Sequence, residues 1–236
     1  MNIKTIIISR SRFDTIVSDK LFPNAVITCP ESQVEDYRKT VENEIIPHPD
    51  YIIGLGLLRN WVMEKFKEEI IVMVDDDVVN LSIIGRAYRR VIETPEIIQE
   101  VVENTAVCAK DMGARVFGFN QCWDTRKYQA NKPFLFNKLV GGVIGIIGKD
   151  LTFDATKKYK VDGDFCLESL RKDRIIWTDS RYSFEQIRNR NKGGNSLFRT
   201  FEERKKEIDE LRKKWGRYLV IKEKPTGESF SIKVKR

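Results

Sequence analysis

Three consecutive carboxylates, Asp75, Asp76 and Asp77, come directly after the apolar run Glu69–Val74. Such a run is typical of a strand buried on both faces, and open α/β sheets bind ligands where these strands end. Because successive side chains of an extended segment point to opposite sides, we expect Asp75 and Asp77 to share one side. Carboxylates this close favour a bound cation, and Mg²⁺ or Mn²⁺ suits oxygen ligands. The triplet therefore predicts Asp75 and Asp77 as metal ligands, with a solvated acidic loop as the alternative.

A predicted helix precedes this strand, and Gly54-Leu55-Gly56 opens it. Its first turn contains Arg59 and Asn60. An arginine near a helix N-terminus at the same edge of the sheet can contact a phosphate that the metal also holds. Arg59 is therefore a candidate phosphate-binding residue.

Apolar runs and helical patterns alternate along the chain, which predicts an α/β fold with a Rossmann-like, mostly parallel sheet flanked by helices. The predicted strands are Lys4–Ser9, Ala25–Thr28, Glu44–Pro47, Glu69–Val74, Ala114–Asn120, Leu139–Ile147 and Ile175–Thr178. The predicted helices are Glu31–Thr40, the helix after Gly54, the helix that starts at Thr94-Pro95, and Phe201–Trp215. The last dozen residues are compatible with either a strand or a loose tail.

The charge is concentrated at the C-terminal end of the 236-residue chain. The net charge is +7. Residues 1–176 carry 25 basic and 26 acidic side chains, a net of −1, whereas residues 177–236 carry 17 and 9, a net of +8. This basic part suits a polyanionic partner, although a solvated surface would look the same.

An apolar content of 41% excludes a disordered chain, and four cysteines without a C-x-x-C pair exclude a disulfide scaffold.

No run of about 18 apolar residues is present, and the first segment becomes charged too early for a signal peptide. We therefore expect a soluble cytoplasmic protein without a membrane partner.

The order of these motifs resembles the GT-A fold glycosyltransferases. The resemblance rests on Arg59 and Asn60 before the Asp-Asp-Asp strand, on Gly141-Gly142-Val143-Ile144-Gly145, on Phe153-Asp154 and on the acidic motif Val161–Arg171. It implies that Asp75 and Asp77 hold a metal that bridges the donor diphosphate. It also implies a donor nucleotide-sugar site, formed by Ser9, Arg10, Arg12, Arg59, Asp76, Gly141 and Gly142. By position Asp162 matches the catalytic base and Asp164 is its close rival, because Val161 replaces the glutamate expected there.

The segment Arg181–Arg199 has five basic residues against one acid, with aromatic residues between them. Such a segment can follow a nucleic-acid backbone or form a lid that contacts the donor diphosphate. The candidate residues for acceptor and phosphate binding are Arg188, Arg190, Lys192, Gly193, Gly194, Asn195 and Arg199.

The Asp-Gly-Asp-Phe motif at 162–165, the stretch Asn189–Ser196 and the small size resemble the phage TET-associated glycosyltransferases. The resemblance implies transfer of a sugar from a nucleotide-sugar such as a UDP-sugar. Inversion at the anomeric carbon is the expected outcome, and retention is the alternative. Its acceptor would be hydroxymethylcytosine in DNA, and its cofactor Mn²⁺ or Mg²⁺. The alternatives are a GT-A enzyme with a small-molecule or glycan acceptor, and a nucleotidyltransferase. The latter normally has a glycine-rich signature, which SRSRFD lacks.

We expect one catalytic domain over residues 1–180, with a nucleotide-sugar half (1–80) and an acceptor half (81–180). Residues 181–236 would form a basic loop, a charged helix and a tail that pack on the same domain.

Overall fold

The computed structural model of the chain describes residues 2–121, 123–187, 200–222 and 229–234. In these residues the strands are β1 (Ile3–Ile8), β2 (Val26–Thr28), β3 (Ile70–Asp75), β4 (Val78–Ile84), β5 (Arg89–Ile92), β6 (Val116–Asn120), β7 (Phe134–Leu135), β8 (Val143–Ile147), β9 (Trp177–Gln186), β10 (Leu219–Lys222) and β11 (Ser229–Ile232). The α-helices are α1 (Ser18–Leu21), α2 (Val34–Arg38), α3 (Leu55–Lys65), α4 (Pro95–Asp111), α5 (Val161–Asp173) and α6 (Phe201–Trp215).

Within the described residues, nine strands form one mixed sheet in the order β2-β1-β3-β8-β6-β9-β4-β5, and β7 pairs with β9. Strands β1, β2, β3, β5, β6 and β9 run in one direction, and β4, β7 and β8 run in the other. The predicted α/β class with a mixed, mostly parallel sheet is confirmed.

Strand β3 shows how the layered core is built. Residues of β3 alternate between two apolar clusters: Val72 faces one with α4, and Ile71 and Met73 face the other with α3 and α5. All three side chains are buried. This period of two follows from the pleat of a strand, and a continuous apolar run is needed because helices cover both faces of the sheet. The core therefore holds the end of β3 at a fixed place.

Several parts of the sheet differ from the prediction. Strand β7 was not predicted, and β9 continues to Gln186 through residues 181–186, for which the sequence predicted a basic loop. Glu44–Pro47 is not a strand; Ile45 makes only an isolated bridge to Ile27, and Pro47 has no N–H with which to extend the pairing. Strands β4 and β5 were not predicted. The burial of side chains along β4, which lies between β9 and β5, does not alternate with a period of two, so the pattern that would predict a half-buried strand is missing.

The helix α6 has the bounds that the sequence predicted. Thr200 and Glu203 form a capping box at its start, which satisfies two otherwise unpaired backbone N–H groups. Its apolar edge includes Leu211, which packs with Leu167 of α5. The tail is a strand pair, β10–β11, and it also packs on α5.

In the part of the chain that the structure describes, no helix is long and apolar enough to cross a membrane.

Candidate active site

The ends of β1 and β3 lie side by side at one edge of the sheet. The two strands are parallel neighbours, with Ile8 paired to Asp75, the last residue of β3. The residues that follow Ile8 therefore lie beside the acidic triplet, at the edge where open α/β folds bind ligands.

Asp76 is turned into the protein. Its carboxylate accepts a hydrogen bond from Ser9 Oγ at 2.6 Å and one from Arg12 Nη1 at 2.5 Å. Ser9 Oγ also lies 2.5 Å from the Tyr37 hydroxyl of α2. Burial raises the pKa of Asp76, and the contacts with Arg12 and Ser9 oppose that shift. Ser9, Arg12 and Asp76, which were predicted to bind the donor, thus hold one another and fix the loop after β1.

Asp75 and Asp77 share a partner that the sequence did not indicate. Gln186, the last residue of β9, donates its Nε2 to Asp75 Oδ2 at 2.8 Å and to Asp77 Oδ1 at 3.1 Å. Gly142 makes room for this amide: its φ is +75°, and a Cβ there would lie 2.8 Å from Gln186 Cδ. The two carboxylates therefore face one side, as the strand geometry predicted, while Asp76 faces the other.

Arg59 lies between a carboxylate at the end of β3 and a carboxylate at the start of α5. It is 1% exposed, its Nη1 donates to Asp162 Oδ1, and its Nη2 lies 3.6 Å from Asp75 Oδ1. Burial lowers the pKa of Arg59, but the carboxylates of Asp162 and Asp75 outweigh that effect and the pKa is raised, so the guanidinium stays charged. The next residue, Asn60, holds the backbone of Phe153 through two hydrogen bonds of 2.9 and 2.8 Å.

The carboxylate pair fits a divalent cation. Burial raises the pKa of Asp75 to about 6, and the charges of Asp162 and Asp77 act in the same direction, against Arg59. The Gln186 amide donates to one oxygen of each carboxylate, and these two oxygens would otherwise repel each other. Among the described residues, no group of three or more His, Cys, Asp or Glu side chains could form a complete cage. Two carboxylates, with phosphate and water oxygens, are the usual donor set for Mg²⁺. Asp75 and Asp77 are therefore the residues that would hold it.

Replacing Asp75 with Asn should stabilise the metal-free protein. Because the folded-state pKa of Asp75 is about 6 and the unfolded value is about 3.9, folding is opposed by ionisation of this group as the pH rises through that window. The Asp75 side chain is 33% exposed, so solvent screening reduces the effect to about 1–2 kcal/mol. The variant's advantage in free energy of unfolding should grow from near zero at about pH 4 to its full size above about pH 6.

Thermal unfolding in EDTA at several pH values measures this difference. Asp36→Asn, at an exposed ion pair with Lys39, is the matched control and should change little. Adding Mn²⁺ should raise the Tm of the wild type and not that of Asp75→Asn. Equal stability of the two proteins at pH 7 would contradict the buried-charge account of Asp75.

The two carboxylates at the start of α5 have different surroundings. Asp162 lies beside Arg59, and its Oδ2 is 3.1 Å from the position of a Cβ on Gly141. Asp164 is 2% exposed; its Oδ1 accepts from Trp215 Nε1 at 2.7 Å and its Oδ2 from Lys214 Nζ at 3.0 Å. Asp162 therefore lies with Asp75 and Asp77, and we call these three side chains the carboxylate cluster. Asp164 instead links α5 to α6.

Helix α6 also holds the loop before α5. Glu207 accepts hydrogen bonds from the backbone N–H groups of Lys158, Tyr159 and Lys160 at 2.7, 3.1 and 3.1 Å. Lys160 immediately precedes α5, so this one carboxylate sets the position at which the helix with Asp162 begins. The sequence offered no signal for this role, because Glu207 is one of several acids in a highly charged helix.

Replacing Glu207 with Ala should lower the free energy of unfolding by about 1–3 kcal/mol, because three backbone N–H groups lose their acceptor in a buried place. Urea unfolding measures the loss. Glu207→Gln, which keeps one acceptor oxygen, should lose less. Asp209→Ala, on the exposed side of the same helix, should stay within about 0.5 kcal/mol of the wild type. A Glu207→Ala variant as stable as Asp209→Ala would show that the three hydrogen bonds contribute nothing.

Among the described residues, Arg10 is a predicted donor-binding residue that is not part of this cluster. Arg10 donates to the carbonyl of Ile52 at 2.7 Å. The candidates Arg188, Arg190, Lys192, Gly193, Gly194, Asn195 and Arg199 lie outside the described residues.

Solved structures with a similar fold align with nearly the whole chain at low sequence identity. A crystal structure of a mycobacterial protein has a TM-score of 0.59 at 11% identity, covering 97% of this chain and 82% of that one. Glucosyl-3-phosphoglycerate synthase from Mycobacterium tuberculosis, in complex with Mg²⁺ and UDP, has a TM-score of 0.57 at 11% identity, covering 98% and 86%. This chain spans 60% of the Staphylococcus aureus TarS 1–349 structure, which matches 79% of this chain at a TM-score of 0.49 and 15% identity. At these identities the likeness shows the fold alone, which is the GT-A fold of glycosyltransferases.

The particular family follows from the sequence profile. The profile described as TET-associated glycosyltransferase matches residues 3–194, which include every strand of the large sheet. The chain belongs to this family, and the resemblance noted in the sequence is confirmed. No curated protein sequence matches the chain.

Proposed function

We propose that the protein transfers a sugar from a nucleotide-sugar donor to a hydroxymethylated base in DNA, hydroxymethylcytosine being the first candidate, with the help of a divalent metal. The observation that carries the proposal is the contact of Asp75 and Asp162 with the buried Arg59, together with the link from Asp75 to Asp77 through Gln186. The family name supports a DNA-base acceptor. A fold relative crystallised with UDP and Mg²⁺ supports the donor and the metal.

Asp162 is the proposed general base. Its carboxylate would take the proton from the acceptor hydroxyl, whose oxygen forms a bond to the anomeric carbon as the bond from that carbon to the diphosphate breaks. The nucleoside diphosphate leaves, and the sugar is transferred with inversion in a single displacement. Gly141 lets the backbone lie close to the Asp162 carboxylate, since a Cβ there would approach Oδ2 to 3.1 Å.

Asp75 and Asp77 would hold the cation, which offsets the negative charge of the leaving diphosphate when it is bound. The chain's own contribution is to orient the two carboxylates. Gln186 lies between them, and rotating its amide by half a turn would present Oε1 rather than Nε2 to a cation. Arg59, which is charged and buried between the two acidic groups, keeps Asp162 next to Asp75.

The reaction class is tested by the release of nucleoside diphosphate from a UDP-sugar. Release that depends on Mn²⁺ and is faster with hydroxymethylcytosine DNA than with the same duplex containing cytosine would support the proposal. Equal release with both duplexes would contradict a hydroxymethylated base as the acceptor and favour a small molecule or a glycan. If no nucleotide-sugar gives release of nucleoside diphosphate, the proposal that the donor is a nucleotide-sugar is contradicted.

A further inference from the structure

Strand β11 packs against the start of α5, the helix that carries Asp162. The ring of Phe230 in β11 lies directly on the backbone of Gly163, where a Cβ would collide with the ring carbons Cε2 and Cζ. The Lys160 Nζ lies 5.3 Å from the centroid of the same ring. One half-buried aromatic side chain therefore contacts residues on both sides of Asp162 in the sequence.

The contact depends on the absence of a side chain at residue 163. Gly163 lies in the first turn of α5 and has a helical backbone, so its conformation does not require glycine. Glycine weakens a helix relative to alanine. What glycine provides here is close approach, because any other residue would put its Cβ into the ring of Phe230.

The same part of the chain holds the segment that faces Asp162. The carbonyl of Val234 accepts a hydrogen bond from Asn137 Nδ2 at 2.6 Å. Asn137 lies four residues before Gly141, and a Cβ on Gly141 would be 3.1 Å from Asp162 Oδ2. The stretch from Phe230 to Val234 therefore touches both segments that meet beside the Asp162 carboxylate.

Strand β11 has supports of its own. Phe230 pairs with Ile221 of β10, and Lys233 N donates to the carbonyl of Tyr218 at 2.8 Å. Ile232 packs against the apolar cluster of α3 and α5. Strand β11 follows residue 194, where the match to the family profile ends, so the family assigns it no role. A strand anchored in this way imposes a position on α5, whereas a loose tail would only follow the helix.

We infer that Phe230 is a positioning residue for sugar transfer. Its ring holds the first turn of α5 at a fixed place relative to Gly141, and so holds the Asp162 carboxylate where it takes the proton. The inference rests on the proposed role of Asp162 as the general base and adds to it a residue from outside the active site. A misplacement of about 1 Å can lower a rate by about 10²-fold. The alternative, that Phe230 only adds buried apolar area, predicts lower stability with an unchanged rate in folded molecules.

Single-turnover transfer to hydroxymethylcytosine DNA, with a saturating UDP-sugar and Mn²⁺, tests the inference. Its rate constant does not depend on the fraction of the protein that is folded. Phe230→Ala should lower this rate constant by about 10- to 100-fold and leave the affinity for UDP in Mn²⁺ within about twofold of the wild type, since Phe230 contacts α5 and not the metal-binding carboxylates. Phe230→Leu, which keeps part of the apolar volume, should lose less.

The matched control is Leu211→Ala. Leu211 is fully buried in the same C-terminal part of the chain, but it packs on Leu167, further along α5. Its truncation should lower the Tm and leave the single-turnover rate constant unchanged. A rate constant that falls as far as that of Phe230→Ala would show a general loosening of the C-terminal part and would contradict the inference.

Gly163→Ala provides a second test, because it adds a methyl group and removes no side chain. It should also slow transfer, since the methyl group collides with the ring of Phe230. In Gly163→Ala/Phe230→Ala this collision is absent, so the double variant should lose no more than the larger of the two single losses. Residues in contact give such non-additive effects. Losses that multiply would show that the two residues act independently, against the inference.

Two failures are distinguishable. If the wild type transfers sugar and Phe230→Ala has the wild-type rate constant, Phe230 has no positioning role and the proposed function stands. If the wild type transfers no sugar to the DNA, the proposed function fails, and the inference fails with it. Thermal unfolding of each variant verifies that it is folded at the assay temperature.

Discussion

Replacing Asp162 with Asn is expected to slow sugar transfer by about 10²- to 10⁴-fold, the range that a general base contributes, while leaving donor affinity nearly unchanged. The substitution keeps the shape of the side chain but removes its ability to accept a proton and the negative charge that faces Arg59. Arg59 retains its contact with Asp75 in the variant, 3.6 Å in the wild type, so the donor side of the cluster should persist. Single-turnover transfer rates and calorimetric titration with UDP and Mn²⁺ measure the two quantities separately.

The control is Asp164→Asn, on the same turn of α5. Asp164 bonds Lys214 and Trp215 and not the carboxylate cluster, so this variant should lose stability, by about 1–3 kcal/mol, and keep its transfer rate per folded molecule. The opposite pattern, an active Asp162→Asn and a folded but inactive Asp164→Asn, would make Asp164 the base.

Replacing Asp77 with Asn is expected to remove metal-dependent donor binding. We expect Mn²⁺ affinity to fall by at least about 100-fold, because losing a ligand should cost more than the 10- to 100-fold typical of an outer-shell partner. The free-Mn²⁺ signal in electron paramagnetic resonance gives the metal affinity. UDP binding, titrated with Mn²⁺ and with EDTA, gives the part of donor binding that needs the metal.

The control for Asp77→Asn is Asp36→Asn, which removes one carboxylate from an exposed ion pair on α2. This control should bind Mn²⁺ and UDP as the wild type does. An Asp77→Asn protein that binds both ligands with wild-type affinity would move the metal site away from the end of β3.

The local features of the site were predictable because they depend on neighbours in sequence. The apolar run before the triplet predicts a buried strand, and the pleat predicts that Asp75 and Asp77 share a side. The bounds of α6 follow in the same way from its pattern of charges around a thin apolar edge. These inferences need no knowledge of which elements meet in space.

The partners of these residues were not predictable, because they come from distant parts of the chain. Gln186 reaches Asp75 and Asp77 from the end of β9, more than a hundred residues away. Arg59, expected from its helix position to contact a phosphate, is buried between Asp75 and Asp162. Only the sheet order brings β3, β9 and α5 together, and no single-residue pattern encodes that order.

Mass spectrometry of nucleosides tests the central claim most directly. DNA that contains hydroxymethylcytosine is incubated with the protein, Mn²⁺ and a pool of nucleotide-sugars, then digested. The account predicts a new nucleoside heavier than hydroxymethyl-2′-deoxycytidine by one sugar unit, absent with Asp162→Asn. Unmodified hydroxymethylcytosine in a reaction where the nucleotide-sugar is consumed would contradict DNA as the acceptor.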